Sequence, residues 1–179
     1  CTRLANYGSM LAEKMGLEES DIRAVRRGGI LHDIGKLTIR DNILLKPGPL
    51  SLEEYKIIQT HPGAGENICK PLRTLDDVLP VIRSHQERFD GSGYPDGLRG
   101  TEIPLNAQII AISECFDALT TNRPYRRALS NQEAIQILEE ETSNGKWDPQ
   151  LFREFKEVVL LPDLEDRLNR RIIEINSLN

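Results

Sequence analysis

Residues 21–36 read DIRAVRRGGILHDIGK, and the way this stretch runs and then stops decides what kind of domain the chain forms. Ile22, Val25, Ile30 and Leu31 recur at helical spacing, and Ser20 or Asp21 can cap the start, so the segment is expected to be a helix carrying the pair His32-Asp33 near its end. The same periodicity continues on both sides. Leu4, Tyr7, Leu11, Ala12 and Met15 mark an earlier helix that stops at Gly16. Ser51 with Glu54 forms a capping box that opens another, expected to run to about Thr60 with His61-Pro62 behind it. Ile68, Leu72, Val78, Val81 and Ile82 define a further helical stretch, broken at Pro71 and again at Pro80 before Ser84 and His85. Ala107 to Leu119 is apolar at most positions and reads as a central buried helix, with Glu114 and Asp117 as neighbours on its surface. Ser130 with Glu133 and Asp148-Pro149 start two more. Residues 90–100, DGSGYPDGLRG, hold too much glycine and proline for regular structure and form a shaped loop. No strand series appears, so the expected fold class is all-α.

A chain of 179 residues suits one ordinary domain with a real core. The expected division is a main domain over residues 1–160 and an amphipathic helix over 161–179. Leu164, Leu168, Ile172 and Ile175 on that helix can pack home, pair with a second copy in a homodimer, or lead toward another domain. No apolar run approaches the roughly 20 residues that cross a bilayer, so the expectation is a soluble protein without a membrane span. Cys1, Cys69 and Cys115 are scattered, with no C-x-x-C spacing, which fits a reducing compartment such as the cytoplasm. A net charge of -5 removes the basic field of a nucleic-acid wrapper and argues against polymeric DNA or RNA as a partner.

The chemistry has to come from the histidines. An isolated histidine at a helix end more often hydrogen-bonds a carbonyl than binds a metal. Here all three, His32, His61 and His85, fall at expected helix ends, and Glu114 sits in an otherwise apolar helix where an unpaired charge is expensive. Imidazole and carboxylate together suit divalent transition metals, and a carboxylate such as Asp33 can bridge two of them.

Five ordered motifs resemble the HD-GYP family, a subgroup of HD-domain metal phosphohydrolases that hydrolyse the bacterial second messenger cyclic di-GMP. They are His32-Asp33-Ile34-Gly35-Lys36, Leu44-Leu45-Lys46-Pro47-Gly48, His61-Pro62, the run from His85 through Gly93-Tyr94-Pro95 to Gly97, and Phe116-Asp117-Ala118-Leu119-Thr120 with Arg123-Pro124-Tyr125-Arg126. The resemblance spans Leu4 to about Val159. It implies an HD-domain-like helical bundle holding two or three iron, manganese or similar ions, with water activated between them for attack on the phosphodiester.

By the same resemblance, His32, Asp33 and Glu114 are ligands of one ion, and Asp33, His61 and His85 of its neighbour. Lys36 approaches the scissile phosphate, and Tyr94, Arg123 and Arg126 join it as the substrate-binding set. Arg88, Asp90 and Asp117 are expected to brace the loop. This chain departs from the family pattern at several positions. Gln86 stands where a second histidine would be a ligand, Glu114 stands for the usual Asp, and Arg126 for a frequent Lys. The family's histidine on the first helix would fall just before Cys1. The implied activity is a cyclic di-GMP phosphodiesterase giving the linear dinucleotide pGpG or GMP, commonly attached to a receiver or sensory module. Gln86 and the absent first histidine leave open a metal-poor relative acting as a cyclic di-GMP sensor or protein-interaction module. A general nucleotide phosphohydrolase is a third reading, which the Gly-Tyr-Pro loop does not favour.

Overall fold

The computed structural model describes residues 2–122, 126–164 and 167–168; among them are nine α-helices and no β-strand. In chain order the helices are α1 (Thr2–Lys14), α2 (Glu19–Leu31), α3 (Asp41–Leu44), α4 (Leu52–Ile58), α5 (His61–Cys69), α6 (Leu79–Ser84), α7 (Leu105–Leu119), α8 (Asn131–Ser143) and α9 (Pro149–Val159), with 3-10 turns at Ile34–Thr38, Arg73–Leu75 and Gly100–Glu102.

Helix α7 is the axis around which the rest packs. Ile109, Ile110, Ile112 and Phe116 are completely buried, and burying one such side chain is worth roughly 1.5–3 kcal/mol. Helices α1, α2, α6 and α8 all lie against α7, and α9 closes over α1 and α8. Phe116 meets Tyr7 of α1 and Phe155 of α9 edge-on, with ring centroids 5.3 and 5.4 Å away. Leu164 and Leu168 are buried in this same core, so the chain beyond α9 packs home at least that far. Ile172 and Ile175 lie outside the described residues, as do Cys1 and Arg123.

Local chemistry fixes three of the described helix starts. Ser51 and Ser130 each accept the N–H three residues on, while Glu54 and Glu133 return to the cap backbone, so both expected capping boxes form. Asp148 accepts from Gln150 and Leu151, with Pro149 in the first turn of α9. Gly16 ends α1 with φ +71°.

Several boundaries differ from the sequence reading. Helix α2 starts at Glu19 without a side-chain cap and stops at Leu31, leaving His32 as its C-cap and Asp33 at the head of the 3-10 turn. Ile30 is 50% exposed; Ala24, Val25, Gly28 and Gly29 form the buried face, because Gly28 packs on Val81 and Gly29 on Ala5. His61 does not trail a long helix but opens α5, since α4 ends at Ile58. Pro71 does end a helical stretch, whereas Pro80 lies in the first turn of α6, where its missing N–H costs nothing.

A smaller core of Cys69, Val78 and Ile82 lies beneath α5, α6 and the turn at Ile34–Thr38. Gly35 allows that turn to sit directly on α5: a Cβ there would come within 1.9 Å of the His61 carbonyl oxygen and 2.6 Å of the Gly65 nitrogen. This contact brings Asp33 beside His61.

Candidate metal centre

Each histidine is aimed by its own helix end. His32 caps α2, His61 begins α5 and His85 caps α6. Their Nδ1 atoms lie 3.0, 2.8 and 2.8 Å from the carbonyls of Gly29, Ile58 and Ile82, always three residues earlier. A carbonyl has no proton to give, so Nδ1–H is the donor, and in the neutral imidazole Nε2 then carries a free lone pair. All three Nε2 atoms turn inward toward Asp33. His61 Nε2 and His85 Nε2 are 3.1 Å apart, and they lie 3.4 and 3.9 Å from Asp33 Oδ1. Asp33 Oδ1 is buried and accepts no hydrogen bond. Three lone-pair atoms thus crowd together with no donor among them, a costly arrangement that a bound cation relieves.

A second set adjoins the first. His32 Nε2 lies 3.4 Å from Asp33 Oδ2 and 3.9 Å from Glu114 Oε1, the latter reaching in from α7. In each trio, Asp33-His61-His85 and His32-Asp33-Glu114, the donor atoms fall within 4.8 Å of one another, and Asp33 is common to both. Distances, donor types and the orphaned oxygen all fit divalent transition ions with a shared carboxylate.

The electrostatics follow from burial among like and unlike charges. Burial, then the other two imidazoles, hold His85 well below the usual histidine range, and burial lowers His61 as well. For His32 burial is outweighed by Asp33 and Glu114, which raise it. Asp33 is pushed up by burial but held far below the ordinary carboxylate range by His32 and Lys36. Burial raises Glu114 against the pull of His32. Lys36 places its ammonium 2.7 Å from Asp33 Oδ2 at the rim of the centre. Gln86, beside His85, points its amide at Glu114 Oε2, 3.0 Å away.

The loop at residues 90–100 folds over the same region. Tyr94 lies edge-on to His61, centroids 6.2 Å apart, and its phenol is pushed up by burial, so it keeps its proton. Two anchors hold the loop. Glu87, 2% exposed, accepts from the backbone N–H groups of Asp96 (2.8 Å), Gly97 (3.2 Å) and Leu98 (3.1 Å). Arg83 grips Asp96 with two nitrogens, each at 2.7 Å, and reaches Glu66 with a third. Gly93 permits the fold-back, since a Cβ would stand 2.4 Å from Glu87 Cα.

Of the residues expected to brace the loop, Asp90 does so by accepting the Ser92 N–H at 2.8 Å. Arg88 stacks over Trp147, 4.7 Å from the ring centroid. Asp117 instead pairs with Arg3 of α1 at 2.5 Å. Glu87, Arg83 and Tyr55 escaped sequence reasoning. Tyr55 is 46% exposed on α4 and edge-on to Tyr94, centroids 6.4 Å apart, extending an aromatic line from His61 to the surface. Arg126 donates to the Ala118 carbonyl at 2.6 Å, and none of its described contacts is with the histidine cluster. Cys69 is buried, and burial, then Glu141, pushes the Cys115 thiol up to about 11, so both remain inert thiols.

Fold and donor sets together are those of an all-helical HD domain with two side-chain trios that could hold metal ions. The HD domain profile matches residues 2–151, and the chain belongs to that family, in the HD-GYP branch whose motifs it carries. It is 39% identical over 138 residues to the cyclic di-GMP phosphodiesterase response regulator RpfG of Xanthomonas campestris, covering 76% of this chain and 36% of the relative. It is 38% identical over 162 residues to 3'3'-cGAMP-specific phosphodiesterase 3 of Vibrio cholerae, covering 90% and 35%. The chain therefore spans about a third of the length of these curated relatives. Among solved structures, the HDG"Y"P protein Bd1817 of Bdellovibrio bacteriovorus shares the fold with a TM-score of 0.71 at 23% identity, over 88% of this chain and 50% of that one. The V. cholerae cyclic GMP-AMP phosphodiesterase V-cGAP3 does so with a TM-score of 0.76 at 21% identity, over 100% and 48%. Among the described residues no helix is long and apolar enough to cross a membrane.

Proposed function

We propose that this chain is a cyclic dinucleotide phosphodiesterase acting on cyclic di-GMP, with Asp33, His61 and His85 holding one divalent ion and His32, Asp33 and Glu114 a second, iron or manganese. The observation that carries this reading is the convergence of His61 Nε2 and His85 Nε2, 3.1 Å apart, on a buried Asp33 oxygen that accepts no hydrogen bond. Such ions supply Lewis acidity toward the phosphodiester and lower the pKa of water beside it.

The chain's own residues supply the rest. Lys36, at the rim, sets a positive charge where negative charge develops on the phosphoryl oxygens. Tyr94, neutral and half-buried, donates its hydroxyl proton to a phosphate oxygen. Tyr55 presents an exposed ring on which a nucleobase stacks. Arg126, with Arg123, completes the substrate set through guanidinium forks that match phosphate geometry. The relatives named for cyclic di-GMP and for 3'3'-cGAMP support the substrate class, and the relative named a response regulator supports a receiver or sensory module as the source of regulation.

The experiment loads the protein with manganese or iron and follows cyclic di-GMP and 3'3'-cGAMP by chromatography. The expected result is conversion of cyclic di-GMP to pGpG or GMP, lost at least about a thousandfold in Asp33→Asn, because both donor sets lose the carboxylate they share. A metal-loaded protein that binds the nucleotide and leaves it intact is a sensor and overturns the enzymatic reading.

A further inference from the structure

Outside the centre itself, the cavities along α8 and beside α2 are lined by surface polar groups and ordinary packing residues, and carry no convergent chemistry. Gln86 is different, because it touches the centre without belonging to either donor set. We propose that Gln86 is a positioning residue: its amide holds Glu114 in the pose that serves His32 and Asp33. This inference rests on the metal-centre reading above.

The orientation of the amide decides the role. An ionised carboxylate offers only acceptors, so the NH2 end of Gln86 is the end that faces Glu114 Oε2 at 3.0 Å. The amide oxygen, the one atom with which Gln86 could bind a cation, is then turned away from Glu114. With Oε2 held by the amide, the other Glu114 oxygen, Oε1, faces His32 Nε2 at 3.9 Å. A glutamate arm has three rotatable bonds, and Glu114 has no other described hydrogen bond, so this donor is what selects its rotamer. Gln86 itself is placed by the backbone, since its carbonyl accepts the Tyr94 N–H at 3.2 Å and ties the amide to the loop.

The test uses the full chain, manganese as the probe, and metal content with paramagnetic resonance as the readouts, alongside circular dichroism to confirm folding. Wild type is expected to bind two ions that couple magnetically. Gln86→Leu, which keeps the bulk and removes the donor, is expected to weaken the ion at His32-Asp33-Glu114 about 10–100-fold and to spare the ion at His61 and His85. Gln86→Glu is expected to do the same, because a second carboxylate cannot donate and repels Glu114. Should Gln86→Leu unfold, Gln86→Asn, too short to reach Oε2, gives the same comparison. Gln86→Glu binding more manganese than wild type makes residue 86 a direct ligand and overturns the proposal, as does either neutral variant keeping both ions. Wild type that binds no manganese fails the metal reading itself, an outcome separate from variants that match a loaded wild type.

Discussion

Replacing Glu87 by glutamine removes one charge and almost no volume, and it strikes the carboxylate that takes three backbone donors from the loop. In the better of its two orientations the amide oxygen keeps Asp96 and Gly97, while its NH2 group meets the Leu98 N–H donor to donor. An unsatisfied buried donor costs about 1–3 kcal/mol, and each surviving bond loses about 1 kcal/mol in passing from a charged to a neutral acceptor. The expected loss is therefore about 3–5 kcal/mol. For a domain of this length each 1 kcal/mol lowers Tm by about 2–4 °C, so thermal unfolding followed by circular dichroism should show a fall of about 6 °C or more. Manganese content at saturating metal should stay at the wild-type level, because no proposed ligand lies on the loop. A Tm within about 2 °C of wild type would refute the reasoning, for it would mean that the loop is held by something other than Glu87.

Further expectations follow from the same geometry. Asp96→Asn should cost about 0.5–1 kcal/mol in urea unfolding near neutral pH, since its partly exposed pairing with Arg83 is screened by solvent. Arg83 holds the Asp96 carboxyl below its ordinary range, so that contribution is present above the unfolded carboxyl's pKa and fades as pH falls through the lower folded value. Wild type and variant should then become indistinguishable in acid, and a difference that persists there contradicts the assignment. Tyr55→Ala should raise KM for cyclic di-GMP about 5- to 150-fold with kcat little changed, as expected for losing about 1–3 kcal/mol of base stacking. Tyr55→Phe should behave as wild type, and a fall in kcat alone would remove Tyr55 from the substrate surface.

What the sequence revealed was mainly what is decided within a few residues. Ser51, Ser130 and Asp148 announce helix starts because a cap is a contact over two or three positions. The histidines stood out as a rare residue type repeated at helix ends, and the structure gathers them round Asp33. Glu87 was hidden for the opposite reason. A glutamate between Gln86 and Arg88 reads as solvated, and only the fold-back permitted at Gly93 buries it against the backbone of residues 96–98. Asp117 was misjudged because its partner Arg3 is 114 residues away in the chain. Tyr55 looks like any residue of an amphipathic turn until Tyr94 is brought beside it. Proline was read correctly at Pro71 and wrongly at Pro80, because the same missing N–H ends one helix and suits the first turn of another.

The clasp between each imidazole and the carbonyl one turn earlier has a consequence for the ions that the proposed centre can hold. The rings cannot swivel toward a small ion or away from a large one without releasing that carbonyl. In the proposed centre the imidazoles' share of the fit to ionic radius would then come from the separation of α2, α5 and α6, where Gly35 rests on the start of α5 and Ile82 lies beneath it. The proposed centre thereby leaves part of its choice among divalent cations to residues that none of the ions would touch.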